Sequence, residues 1–342
     1  MSNNSGDKKK LSEIPVSVLD LATILAGKTP ADTFKNSADL AQHVEQWGFK
    51  RYWLAEHHSM ESIASSATSV LIGYIAGKTS FIRVGSGGIM LPNHSPLVIA
   101  EQFGTLESMY PGRIDLGLGR APGSDQVTAR ALRRNIQESP NDFPESLMEL
   151  KKYLSAENQT SKVRAIPGEG LDIPIWLLGS STYSAQLAAI LGLPFAFASH
   201  FAPTYLHAAL KLYRESFHPS ETLKEPYALA CVNVVAADTD KEAGFLATSF
   251  YQLAMGIIHG SAKPLQPPVA NMDEIWSDYE KAAILQMMQY TFIGSPETVK
   301  ERLQTFLNET QLDEIMITSH IFNHAARVHS YEIVSKLLQG AT

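Results

Sequence analysis

Apolar residues along this chain fall into two alternating patterns, and the alternation repeats eight times. Short runs rich in Val, Ile, Leu and Ala read as strands at residues 14–21, 51–55, 82–91, 113–118, 173–178, 194–199, 227–236 and 314–318. Between them, apolar positions spaced by three or four predict helices over 33–47, 66–76, 96–110, 183–191, 204–217 and 325–338. In the first helix Phe34, Ala38, Ala41, Val44 and Trp47 share one stripe, and Gly48 supplies the stop. The stretch after the fourth strand is helical but interrupted at Pro140 and Pro144. After the seventh strand, helices near 241–258 and 278–290 flank a proline-rich segment, 264–268, that reads as a mobile excursion. Ser295 and Pro296 then open a further helix, as N-cap and first helical residue.

Strands separated by helices, and apolar on both faces, imply a parallel sheet covered by helices. Eight such units match an α/β chain folded as a (β/α)8 TIM barrel with an insertion after strand 7; a doubly wound open sheet is the competing architecture. The division expected is a polar, basic, disordered tail over 1–12, then a single barrel domain over 13–340 with a lid-like excursion around 259–290. A barrel gathers the residues that follow its strands at one rim. Here those are Asp20, His57, Asn93, Arg120, Ser180 and His200.

Composition narrows the class of function. With 342 residues, 44% of them hydrophobic, the chain has ample material for a large core. A formal net charge of -7 gives no general attraction to nucleic acid or anionic lipid, and no apolar run is long enough to cross a bilayer. The single cysteine, Cys231, cannot form an internal disulfide; without a signal-peptide pattern or a Cys/His zinc pattern, the cytoplasm is the expected compartment and no metal site is expected.

Three segments carry candidate chemistry. The second strand ends in Glu56-His57-His58. Adjacent imidazoles on extended backbone point to opposite faces, so only one faces the mouth and the pair is unsuited to hold one metal. His57, in phase with Trp53 and Ala55, is the candidate acid–base group, with a hydrogen-bonded structural histidine as the competing reading. Glu56 is placed to orient an imidazole or support the rim. At the end of the third strand, Gly87 and Gly88 mark a bulge or the close approach of a flat ring, a barrel corner being the alternative. Gly117 to Ser124 misses the dinucleotide spacing, but Arg120 is a fixed cation for a phosphate unless it pairs with Asp115 or Asp125. Ser180, Ser181, Thr182 and Ser184 crowd the start of a helix, more hydroxyls than capping requires, which suggests an anion cradle.

The order of these motifs resembles the bacterial luciferase-like flavin-dependent monooxygenases over nearly the whole chain. The segments are 54–58, Val84-Gly85-Ser86-Gly87-Gly88-Ile89-Met90-Leu91-Pro92, Tyr110 to Arg120, and Ile293-Gly294-Ser295-Pro296-Glu297-Thr298-Val299. Residues 176–181 and 195–201 are similar to the YhbW-like branch. The resemblance implies a luciferase-like barrel that takes reduced FMN from a separate NAD(P)H:flavin reductase and uses O2 to oxygenate a small organic substrate. It makes His57 the catalytic histidine, and Gly87-Gly88 a bulge, often a non-prolyl cis peptide, that supports the isoalloxazine. Arg120, Ser181 and Ser184 take phosphate-binding positions, with Ser180 in place of an acid. Asp20, Glu56, Asn93 and His200 are second-rank pocket positions. The reactive cysteine of luciferase is Gly119 here, so light emission and an aldehyde substrate do not carry over. Two alternatives remain: an F420-dependent oxidoreductase of the same fold, and a flavin-binding or storage protein with little catalysis.

The helix after strand 2 lies in a stretch, 63–77, without a charged residue, although an outer barrel helix in a monomer should keep a polar face. The chain's own tail is one candidate to cover it but is polar; the resemblance implies dimers that use this region, so a homodimer through the helices after strands 2 and 3 is expected.

Overall fold

The computed structural model describes residues 9–121, 126–132 and 142–339. Its strands are β1 (Val16–Asp20), β2 (Arg51–Leu54), β3 (Arg83–Ser86), β4 (Ile89–Met90), β5 (Ile114–Gly119), β6 (Ile175–Gly179), β7 (Phe195–Phe197), β8 (Ala228–Ala236), β9 (Thr291–Gly294) and β10 (Glu314–Thr318). All pairings are parallel, and β1, β2, β3, β5, β6, β7, β8 and β10 follow one another around a ring. Pairing of β10 with both β8 and β1 closes it. The chain is thus a (β/α)8 barrel, and the open sheet is excluded.

Two strand assignments change. The run predicted at 82–91 is divided into β3 and β4 on either side of a cis peptide between Gly87 and Gly88, and both pieces pair with β5. Strand β9 is additional. Its four residues follow directly on a helical segment and precede an N-cap, which hid them in the sequence. β8 makes room for it by its nine-residue length: Leu229–Asn233 pairs with β10, and Asn233–Ala236 pairs with β9.

The helices are α1 (Pro30–Gln46), α2 (Thr68–Ala76), α3 (Pro96–Met109), α4 (Gln126–Leu132), α5 (Phe143–Leu154), α6 (Thr182–Ile190), α7 (Leu206–Glu215), α8 (Asp240–Ile258), α9 (Asp278–Met287), α10 (Pro296–Thr310) and α11 (His324–Leu338). α1 starts earlier than predicted because Pro30 fills its first turn and Thr29 caps it reciprocally with Asp32. Ser295 caps α10 as expected, accepting from the Thr298 amide. Pro140 and the loop residues Pro122 to Asp125 lie outside the described residues, while Pro144 sits harmlessly in the first turn of α5.

Inside the ring, Leu19, Trp53, Trp176, Leu229, Cys231 and Met316 pack together. The N-terminal ends of the strands are plugged by charge. Arg51 stacks over Trp176 at 4.7 Å and donates to Asp115 and Glu314, each at 2.8 Å. Arg83 binds the other oxygen of Asp115, and the Ser17 and Tyr227 hydroxyls complete Glu314. Buried ions so fully partnered are stable only as a set, and loss of one member costs about 3–5 kcal/mol. Chemistry is left to the opposite rim.

The chain enters the fold earlier than a loose 1–12 tail would allow. Leu11 is buried, and the Lys9 ammonium lies 2.7 Å from Asp313. The excursion after α8 is also docked: Leu265 is buried and bridges to Leu25 just beyond β1. Val70 on α2, Val98 on α3 and Phe81 between them are exposed. Among the described residues, no helix is long and apolar enough to cross a membrane.

Candidate functional site

Beyond β2 the backbone leaves the ring and delivers three polar side chains. Glu56, only 1% exposed, is a hub. Its Oε1 accepts the Nε2–H of His58 and the Nε2–H of His94, each at 2.8 Å, and its Oε2 accepts the Met90 amide at 3.1 Å. Burial alone would raise its pKa; the bonds from His94, His58 and Met90 outweigh it and hold the carboxyl below its usual range. The hub ties the end of β2 to β4 and to the turn leading into α3.

His57, half-buried, belongs to a different group. His200, after β7, is pushed down to about 3 by burial and by the proximity of His320 and His57. His320, after β10, is buried, stacks face-on with Phe250 of α8 at 4.6 Å, and is pushed down to about 4 by burial and by Arg327. Three imidazoles from three loops therefore share one region of the rim. The Asn233 amide holds the His200 carbonyl at 2.6 Å, which fixes the loop.

Asp20 is placed beside this group but is spoken for. It accepts from Arg327 at 2.8 Å, from the Tyr52 hydroxyl and from the Ala22 amide. Against the upward effect of burial, Arg327 and these bonds lower its carboxyl to about 2. Its place is that of a buried anchor between β1, β2 and α11. Asn93 lies in the 3-10 turn after β4 and is buried.

On the β3–β6 side of the rim, backbone approaches backbone closely. A Cβ on Gly88 would come 2.9 Å from the Gly117 carbonyl, and one on Gly117 would run into the Ser86 carbonyl. These glycines are thus required by strand packing. Next to this shelf, α6 begins just after Ser181, its N-cap residue, whose hydroxyl makes no capping bond. The first amides of α6, those of Thr182, Tyr183 and Ser184, have no intrahelical acceptor and point along the helix dipole. Gly179 admits Ser184 beneath them, since a Cβ there would be 2.5 Å from Ser184 Oγ. Arg120, at the end of β5, stacks its guanidinium over Tyr183 at 4.2 Å. Its suggested partner Asp115 is taken by Arg51 and Arg83, and Asp125 lies outside the described residues. A positive fork beside a helix N-terminus can hold a phosphate.

The structure therefore gathers the predicted residues into two sets: Gly87, Gly88, Arg120, Ser180, Ser181 and Ser184 on one side, and His57, His200 and the Asp20 anchor on the other. Sequence reasoning missed His94, His320 and Arg327. His320 follows the last strand directly, so the rim rule that selected His200 also applied to it; His94 and Arg327 are tied in only by tertiary pairing.

Comparison with known proteins agrees with this architecture. The family model described as luciferase-like monooxygenase matches residues 14–314. The chain is 59% identical to YvbT of Bacillus subtilis over 336 residues, covering 98% of each chain. It is 54% identical to the luciferase-like monooxygenase of Escherichia coli K12 over 320 residues, covering 94% of this chain and 96% of that one. An N-acetyl-S-alkylcysteine monooxygenase of Bacillus subtilis is 33% identical, with 96% and 99% covered. Among solved structures, apo-MsnO8 superposes with a TM-score of 0.85 at 32% identity, covering 95% of this chain and 98% of that one. The oxygenating constituent of 3,6-diketocamphane monooxygenase from Pseudomonas putida, in complex with FMN, gives 0.72 at 20% with the same coverage. An F420-dependent secondary alcohol dehydrogenase gives 0.69 at 14%, with 95% and 99% covered; these last two likenesses concern the fold. The barrel, the order of its motifs and these matches agree: the chain belongs to the luciferase-like monooxygenase family.

Proposed function

We propose that this protein is an FMN-dependent monooxygenase that uses reduced flavin and O2 to oxygenate a small organic substrate. The observation that carries the reading is the pairing, on neighbouring strands, of a backbone shelf at Gly87-Gly88 with an anion cradle at Arg120, Ser180, Ser181 and Ser184. A flat ring system ending in one phosphate matches that arrangement. FMN, when bound and reduced, supplies the electrons that activate O2. The chain's own residues bind, orient and protonate. Arg120 and the α6 amides hold the phosphate, and the backbone at Gly87-Gly88 forms the face against which the ring lies. His57 moves a proton at the mouth, and burial keeps His200 neutral there, able to donate or accept a hydrogen bond to substrate. The 259–290 excursion, which packs on the rim through Leu265, serves as a lid that excludes water.

FMN is favoured over F420 because the family model and relatives that share sequence with the chain are named monooxygenases, whereas F420-dependent hydride transfer uses no O2; the FMN-bound and F420-bound neighbours share the fold alone and do not decide between them. We infer further a separate reductase partner, a cytoplasmic setting and a homodimer through α2 and α3, the last supported by exposed Val70, Phe81 and Val98. The relative that acts on N-acetyl-S-alkylcysteine suggests thioethers as first substrates to try. The test is to incubate the protein with a flavin reductase, NADH, FMN, 18O2 and N-acetyl-S-methylcysteine or an extract of cell metabolites, and read products by mass spectrometry. One labelled oxygen per product molecule, absent when His57→Ala replaces the wild type, supports the reading. Flavin binding without any labelled product supports a storage protein instead.

A further inference from the structure

We propose that Glu56, His58 and His94 bind a divalent first-row transition-metal ion, with zinc(II) as the reference ligand. The inference stands apart from the flavin reading, since it uses neither the glycine shelf nor the α6 cradle. One carboxylate oxygen and two imidazole Nε2 atoms lie within 4.8 Å of one another. Both nitrogens point at the same oxygen from 2.8 Å. Three ligands bonded at about 2.1 Å to one ion lie roughly 3.0–3.4 Å apart, so each nitrogen–oxygen distance needs to open by only a few tenths of an ångström, while the two nitrogens, within 4.8 Å of each other, settle into the same range by rotation of the imidazoles.

The surroundings suit an ion. Glu56 is 1% exposed, so its charge is fixed in direction, whereas the His58 and His94 side chains are 14% and 25% exposed and leave an approach from solvent. Three protein ligands with an open side leave a position for water, as in two-histidine, one-carboxylate sites. Entry of the ion is also chemically simple. Each imidazole now donates its Nε2–H to Glu56; the tautomer that carries its proton on Nδ1, which a partly exposed ring can hydrate, presents the Nε2 lone pair to an ion. Two nitrogens and one oxygen favour zinc(II), iron(II), cobalt(II) or nickel(II) over calcium or magnesium. The sequence hid the site because only the His57-His58 pair was adjacent; His94 arrives from beyond β4.

The experiment uses the full chain, dialysed against chelator, titrated with zinc chloride by calorimetry and with cobalt chloride by visible absorption. The expected result is one ion per chain, a cobalt d–d spectrum of low coordination number, and binding weakened by at least about tenfold in His58→Ala and in His94→Ala. Nitrogen-15 histidine spectra of the wild type provide a reading that needs no variant: zinc should move the Nε2 resonances of His58 and His94 while leaving His200 and His320 in place. Absence of stoichiometric binding, equal binding by folded His94→Ala, or zinc-induced shifts at other histidines instead would each overturn the proposal.

Discussion

Glu56→Gln isolates the hub that joins β2, β4 and the approach to α3. Glutamine keeps one oxygen that can still accept from His58 and His94, but it turns an NH2 group toward the Met90 amide that Glu56 now binds. Two charge-assisted bonds become neutral, a loss of about 1 kcal/mol each, and the Met90 amide loses its acceptor, at about 1–2 kcal/mol more. The sum is about 3–4 kcal/mol, which in a chain of this size lowers the melting temperature by roughly 4–6 °C. The assay is thermal unfolding of metal-free wild type and variant from neutral pH downward. Because the Glu56 carboxyl is held below its unfolded value, its stabilisation is complete above that value, near 4.3, and fades as pH falls through the folded one. The gap between the proteins should thus be widest at neutral pH and close in acid. Equal melting temperatures at neutral pH, or a gap that widens in acid, would refute the argument.

Arg120→Ala should weaken FMN binding by roughly 10- to 100-fold while leaving riboflavin nearly unaffected, because the lost fork engages only the phosphate; flavin fluorescence titration separates the two ligands. Arg327→Met leaves the Asp20 carboxylate buried with hydroxyl and amide donors alone and should cost about 3–5 kcal/mol in urea denaturation. In the wild type, Asp20's contribution persists down to about pH 4 and is lost as pH falls toward its folded value of about 2, so acid unfolding should steepen over that range. Val70→Asp with Phe81→Ser removes exposed apolar surface and, if α2 and α3 form a dimer seam, should shift the protein to monomer in sedimentation without changing its circular dichroism spectrum.

Much of this barrel was legible because its strands are buried on both faces and its helices carry one apolar stripe; β8 and α1 announce themselves by composition alone. β9 was not, since four residues between a helix and an N-cap carry too little pattern to separate from either. The hydroxyls that open α6 and the glycines at 87 and 88 stood out in the sequence, and the structure sets them on neighbouring strands of one rim. The division of labour among rim residues was less so. Nothing local distinguishes Asp20, an anchor paired with a residue 307 positions away, from a pocket acid. Likewise Glu56 reads as one acid beside two histidines until His94 folds back onto it.

The claim on which the functional account rests is that the shelf at Gly88 and the cradle at α6 together hold one flavin mononucleotide within reach of His57. A crystal structure of the protein with FMN tests it most directly. The account predicts the phosphate within hydrogen-bonding distance of Ser181 and Arg120, and the ring against Gly87-Gly88 with His57 facing it. A phosphate bound elsewhere on the rim, or a ring seated away from that peptide, would contradict it.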